Sequence, residues 1–102
     1  MTPTIELEYW QPRLGLESWA VTIRYGKVEP TNDAEIDYDI DDRTAAITVR
    51  EGKRGDELSR LVLHELLHLV VAPLARIAKG RQREAIEESV VQHIEQIMGG
   101  LK

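Results

Sequence analysis

An α+β fold is predicted for this 102-residue chain by three features of its amino-acid sequence. Residues 19–51 alternate apolar and polar side chains, residues from 56 onward carry apolar side chains at helical spacing, and turn-forming residues separate the two regions. A chain of this length holds one hydrophobic core, so residues 1–102 read as a single domain. Its 42% apolar and 30% charged content is that of a folded protein, not of a disordered segment.

Thr2 and Pro3 form an N-cap and first-turn pair. Ile5 and Tyr9, with Leu7, Trp10 and Leu14, recur at helical spacing, so a short opening helix is expected to end near Gly15. Trp19, Val21, Ile23 and Tyr25 then alternate with Ala20, Thr22 and Arg24, which predicts a strand. Residues 26–33 are turn-rich. Ile36, Tyr38 and Ile40 next alternate with Glu35, Asp37, Asp39 and Asp41, a strand with one apolar and one acidic face. A tight turn at 41–44 leads to a third strand, Ala45 to Glu51, with Ile47 and Val49 facing inward. The three strands are expected to form an antiparallel meander packed on the helices. Trp10 and Trp19 read as core anchors.

Asp56 is the expected N-cap of the next helix, with Glu57 in its first turn, where negative charge suits the helix dipole. From Leu58 to Val71 this helix is apolar almost all round, so it is predicted to be the buried centre of the domain, running to about Ala72. Pro73 ends or kinks it, and a short piece from Leu74 to Lys79 stops at Gly80. A last helix is expected from Gln82 to Met98, ended by Gly99 and Gly100, with Ile86, Val90, Ile94 and Ile97 along its apolar face.

Composition excludes several functions. The net charge of −5 argues against nucleic acid, whose binding depends on neutralising phosphates. With no cysteine there is no disulfide, thiol nucleophile or Cys-ligated zinc, so any metal must use His or carboxylates. The N-terminus has neither the basic nor the apolar region of a secretory signal, which predicts an intracellular, cytoplasmic protein. Leu61 to Ala75 is interrupted by His64, Glu65 and His68 and falls short of the about 20 apolar residues that span a bilayer, so no membrane partner is expected. Asp37, Asp39 and Asp41 open like an EF-hand loop. The pattern fails at the sixth position, Asp42 in place of Gly, and at the twelfth, Thr48 in place of Glu. Strict alternation makes these acids the solvated face of a strand, where they also discourage edge-to-edge pairing.

The central helix carries His64-Glu65-Leu66-Leu67-His68, an HExxH pattern. Imidazoles four residues apart lie one turn apart on the same face and can share one ion at about 2.0 to 2.1 Å. Glu65 then sits where it can act as general base on an ion-activated water. Two imidazoles and a carboxylate in an aliphatic helix are costly to bury without a partner, and a metal satisfies all three. A catalytic zinc usually takes three protein ligands, and for the third the sequence downstream offers Glu84, Glu87, Glu88, His93 and Glu95, all on the last helix. Glu87 falls inside the apolar arc of that helix, Glu84 lies near its margin, and Glu88 and Glu95 point further toward solvent. Glu87 is therefore the better candidate and Glu88 the reserve. His93 reads as a surface or core-edge residue, or one able to contact substrate.

HExxH on one helix and a glutamate on the next resembles the gluzincins, the thermolysin-like zinc metallopeptidases, and the small size resembles minigluzincins and compact phage or prophage metallopeptidases. The likeness runs from Tyr9-Trp10-Gln11 and Trp19 through the strands and His64–His68 with Ala72-Pro73-Leu74 to Glu87, followed by Val90, Ile94 and Ile97. It implies zinc held by His64, His68 and Glu87, Glu65 as catalytic base, and a peptide or protein substrate paired with an edge strand above the metal, expected at Thr44 to Arg50. The chain departs from the family pattern in having Val91 where an Asp or Asn commonly orients a ligating histidine. It also has no room for the subdomain that supplies an oxyanion-stabilising Tyr or His, which leaves Tyr38 and His93 as candidates. The alternative class is a non-catalytic phage or bacterial interaction or assembly protein with a structural or vestigial zinc site, and a latent enzyme covered by its own termini is a milder variant.

Overall fold

The computed structural model of the chain describes residues 2–75 and 81–101, with side chains described outside 74, 75, 81–84, 86 and 99–101. The elements run α1 (Pro3–Arg13), β1 (Ala20–Gly26), β2 (Ala34–Asp39), β3 (Thr44–Arg50), α2 (Gly55–Ala75) and α3 (Arg81–Leu101), an α+β architecture. None of the described helices is long and apolar enough to cross a membrane.

Helix α1 is fixed at both ends by local chemistry. The Thr2 hydroxyl accepts the Ile5 N–H at 3.3 Å, and Pro3 opens the first turn. At the other end Gly15 adopts φ 70°, and the N–H groups of Gly15 and Leu16 reach the carbonyls of Pro12 and Gln11, a Schellman closure that requires this left-handed residue. The Gln11 side chain then donates to the carbonyls of Leu16 and Trp19 at 2.9 Å each, which fixes the approach to β1. Trp10 anchors α1 to α2: it is buried, and its indole N–H donates to Ser59 Oγ at 3.1 Å. Trp19 is half-buried at the core margin, edge-on to Tyr38.

The sheet has the order β1-β3-β2, with β1 parallel and β2 antiparallel to β3. This mixed sheet replaces the expected antiparallel meander. Only the β2–β3 hairpin follows that expectation, and β3 inserts between the first two strands. Ala45, Ile47 and Val49 of β3 are buried, and the central position pairs both backbone edges of the most apolar strand. Acidic β2 takes an outer position, where Asp37 and Asp39 stay in water. The 27–33 connection that makes this order possible is held by Arg50, whose guanidinium donates to the carbonyls of Glu29 at 2.9 Å and Pro30 and Asn32 at 3.1 Å.

Helix α2 is the buried centre, as its composition predicts: Leu58, Val62, Leu66, Leu67 and Ala72 have no exposed surface. Asp56 and Glu57 both lie within its first turn, so Asp56 is not the residue that caps it. The helix continues through Pro73 to Ala75, past the expected end, because a proline this near the C-terminus removes only one late hydrogen bond. The expected short piece to Lys79 and the stop at Gly80 fall largely outside the described residues. Helix α3 runs on through Gly99 and Gly100, which do not end it. Its packed face centres on buried Val91, with Val90, Ile94 and Met98 against the core, whereas Ile97 is 54% exposed. The face that meets α2 is thus rotated toward Val91 from the arc drawn through the isoleucines.

Candidate metal centre

Helices α2 and α3 and strand β2 enclose a cleft of about 710 Å³, the size of a ligand site. His64, Glu65 and His68 line it, together with Glu87, Glu88 and Glu95 of α3. The four-residue spacing on α2 sets the two imidazoles 5.2 Å apart, centroid to centroid. Ligand atoms of His64, Glu65 and His68 lie within 4.8 Å of one another, near enough for small side-chain rotations to bring them onto one ion.

The rotated face of α3 decides what surrounds the rings. Glu95 Oε2 lies 2.5 Å from Nδ1 of His64, and Glu87 Oε1 lies 2.7 Å from Nδ1 of His68. Carboxylates accept, so each ring donates from Nδ1, and with an ion bound Nε2 would be the ligating nitrogen of each ring. Glu88 faces that other side: Oε1 is 2.9 Å from Nε2 of His68 and Oε2 is 3.8 Å from Nε2 of His64. The two imidazole rings and the Glu88 carboxylate therefore face one another. A cation between them would satisfy all three.

Glu65 is buried beside the two rings at 6% exposure. Burial pushes its pKa up, opposed by the neighbouring His64 and His68 and reinforced by Glu88 and Glu35. Nitrogen and carboxylate oxygen donors of this kind suit a divalent ion of the zinc type.

Several expectations change. Glu87, favoured as a ligand, is on the Nδ1 side of His68, and Glu88, the reserve, faces both Nε2 atoms. Glu95, expected to point toward solvent, meets Nδ1 of His64, while Val91 is buried in the core. The Tyr38 hydroxyl is 3.4 and 3.5 Å from the Glu87 oxygens, which places it beside that carboxylate at the cleft. His93 is exposed and outside the cleft lining. Thr44–Arg50 is the central strand, and β2 is the outer strand over the site. The sequence did hold a signal for the acids: Glu88 and Glu95 are seven residues apart, two turns on one face, as His64 and His68 are one turn apart on theirs.

Compared with known proteins, the chain matches no family model, no curated protein and no solved structure.

Proposed function

We propose that this chain is a zinc-dependent hydrolase of peptide bonds, with His64, His68 and Glu88 as ligands and Glu65 as general base. The observation that carries the reading is the His64-Glu65-His68 group, with Glu65 buried and the Glu88 carboxylate facing both rings. When bound, zinc supplies Lewis acidity, lowering the pKa of a water at its open position toward about 7 and polarising a carbonyl. Glu65 would take a proton from the attacking water, from its buried place beside both rings. The same carboxylic acid gives the proton to the amide nitrogen as the C–N bond breaks. Its low-dielectric setting suits both halves, because the raised pKa lets one group accept and then donate. Glu95 and Glu87 hold the rings through Nδ1, and Tyr38 holds Glu87.

A peptide substrate is favoured by the sheet edge. The Arg50 N–H donates to the Asp33 carbonyl at 2.8 Å, which sets the hydrogen-bonding parity of β2 on β3. By the antiparallel alternation the peptide groups of Ala34 and Ile36 then point away from β3, to the open edge along the cleft. An extended chain can add there as a further strand.

Metal analysis and hydrolysis of a fluorogenic peptide library test the reading together. Wild type is expected to hold stoichiometric zinc and cleave. Glu65→Gln should keep the zinc and lose about 10²–10⁴-fold in rate. Unchanged turnover in the variant would remove Glu65 as the base, and no cleavage by wild type, or no stoichiometric zinc in metal-replete protein, would replace the hydrolase with a non-catalytic interaction protein.

A further inference from the structure

We infer that the open edge of β2, beside the cleft, selects an extended peptide carrying Lys or Arg at alternate positions, read by Glu35, which lines the cleft, and by Asp37, which lies beyond its lining on the same strand. The inference rests on the peptide-binding role proposed for the cleft. Among the described residues six carboxylates line the cleft, Asp33, Glu35, Glu65, Glu87, Glu88 and Glu95, against one Lys or Arg, Arg60, which stands on α2. A divalent ion and Arg60 together offset half of that charge.

Five of the six acids are already committed. Asp33 lies 3.6 Å from Arg50 and 3.4 Å from Lys53. Glu87 and Glu95 meet imidazole Nδ1 atoms, Glu88 faces the Nε2 atoms, and Glu65 is buried as the base. Glu35 is different. It receives the Glu29 backbone N–H at 2.5 Å, and among the described residues no cation pairs with it. Asp37, two residues along, is exposed and has neither hydrogen bond nor ion pair among the described residues. The next acid on this face, Asp39, is taken up locally, accepting the N–H groups of Asp41 and Asp42 at 3.0 and 3.1 Å.

The strand geometry converts these two charges into a pattern. Glu35 and Asp37 register with Thr48 and Ala46 in the pairs whose hydrogen bonds point inward to β3, while Ala34 and Ile36 offer theirs outward. A peptide strand added at that edge bonds to Ala34 and Ile36. Its residues opposite Glu35 and Asp37 then project side chains on the same face as the two acids, with Cβ atoms about 4.5–5.5 Å away. Those two peptide positions are separated by one residue, so basic side chains must alternate. The acidic alternation that keeps β2 from pairing with a second copy of itself would thus admit a partner of opposite charge.

The test uses zinc-loaded Glu65→Gln protein and fluorescence anisotropy, so that binding is read without turnover. Labelled peptides of alternating Lys-Ser, Glu-Ser and Gln-Ser sequence are compared at low salt. The Lys peptide is expected to bind about tenfold tighter than the Gln peptide, from two cross-strand charge pairs, with the gap closing as salt rises. Adding Glu35→Gln and Asp37→Asn should abolish most of that preference, and the exposed Asp37→Lys change should shift it toward the Glu peptide. Equal affinities, or a Lys preference that survives the double variant, would overturn the inference. The two readings fail separately. Charge-selective binding without hydrolysis by wild type removes the hydrolase alone, and hydrolysis without charge preference removes the selectivity alone.

Discussion

Glu87 reaches His68 from the Nδ1 side of its ring, at 2.7 Å, while the Nε2 side of the same ring faces Glu88 at 2.9 Å. Two consecutive residues of α3 thus bracket one imidazole. They can do so because a helix step of about 100° sends neighbouring side chains around opposite sides of a ring presented by the facing helix. Glu95, two turns beyond Glu88, does for His64 what Glu87 does for His68.

The bracketing ranks the two glutamates. Glu87→Ala should weaken zinc binding by about 10–100-fold, the usual cost of losing a group that orients a ligand. Glu88→Ala should cost at least another factor of about ten, since it removes a donor to the ion. Competition with a chelator of known affinity measures both, and the opposite ranking would return the ligand role to Glu87.

Binding to the folded state alone must raise stability. With free zinc at about 100 times its dissociation constant the gain is about 2.7 kcal/mol. For a domain of this size that corresponds to a Tm higher by roughly 10–20 °C. Scanning calorimetry with zinc and with chelator should show the shift in wild type and lose it in His64→Ala.

Glu65 makes the metal-free protein sensitive to pH. Burial raises its pKa from 4.5, so the folded state favours the protonated acid. That contribution is complete below pH 4.5 and is lost as pH climbs through the raised value. Metal-free Glu65→Gln, which cannot ionise there, should match the pH response of wild type in no window above this point: the difference in Tm grows in favour of the variant from pH 4.5 toward neutrality. A pH-independent difference between the two would show that the carboxyl is not strained by its burial.

Trp10 and Ser59 join α1 to the central helix through a buried hydrogen bond of 3.1 Å. Trp10→Phe should destabilise by about 1–3 kcal/mol, partly because the Ser59 hydroxyl loses its donor. Adding Ser59→Ala should then cost less than it does in wild type, and urea denaturation of the double-mutant cycle reads the difference. Additive effects would mean the bond contributes nothing.

Local pattern was enough for much of this fold. The Thr2 cap, the alternations around Ile23, Tyr38 and Ile47, and the apolar run around Leu66 each sit within a few residues of one another, and each element lies where its period places it. Element ends were less legible, since a proline or glycine in the last turns is tolerated where the helix has few bonds left to lose, as at Pro73 and Gly99.

Sequence by itself determined the α+β class, the buried α2 and the His64–His68 pair, because helix and strand periods are properties of the chain alone. Strand order, the outer position of β2 and the ring nitrogens that Glu87, Glu88 and Glu95 each face were decided only in three dimensions. They depend on which strand buries both its edges and on the rotation at which α3 meets α2. Neither is written in any one element's periodicity, since both follow from the packing of Ile47, Val49 and Val91 into a shared core.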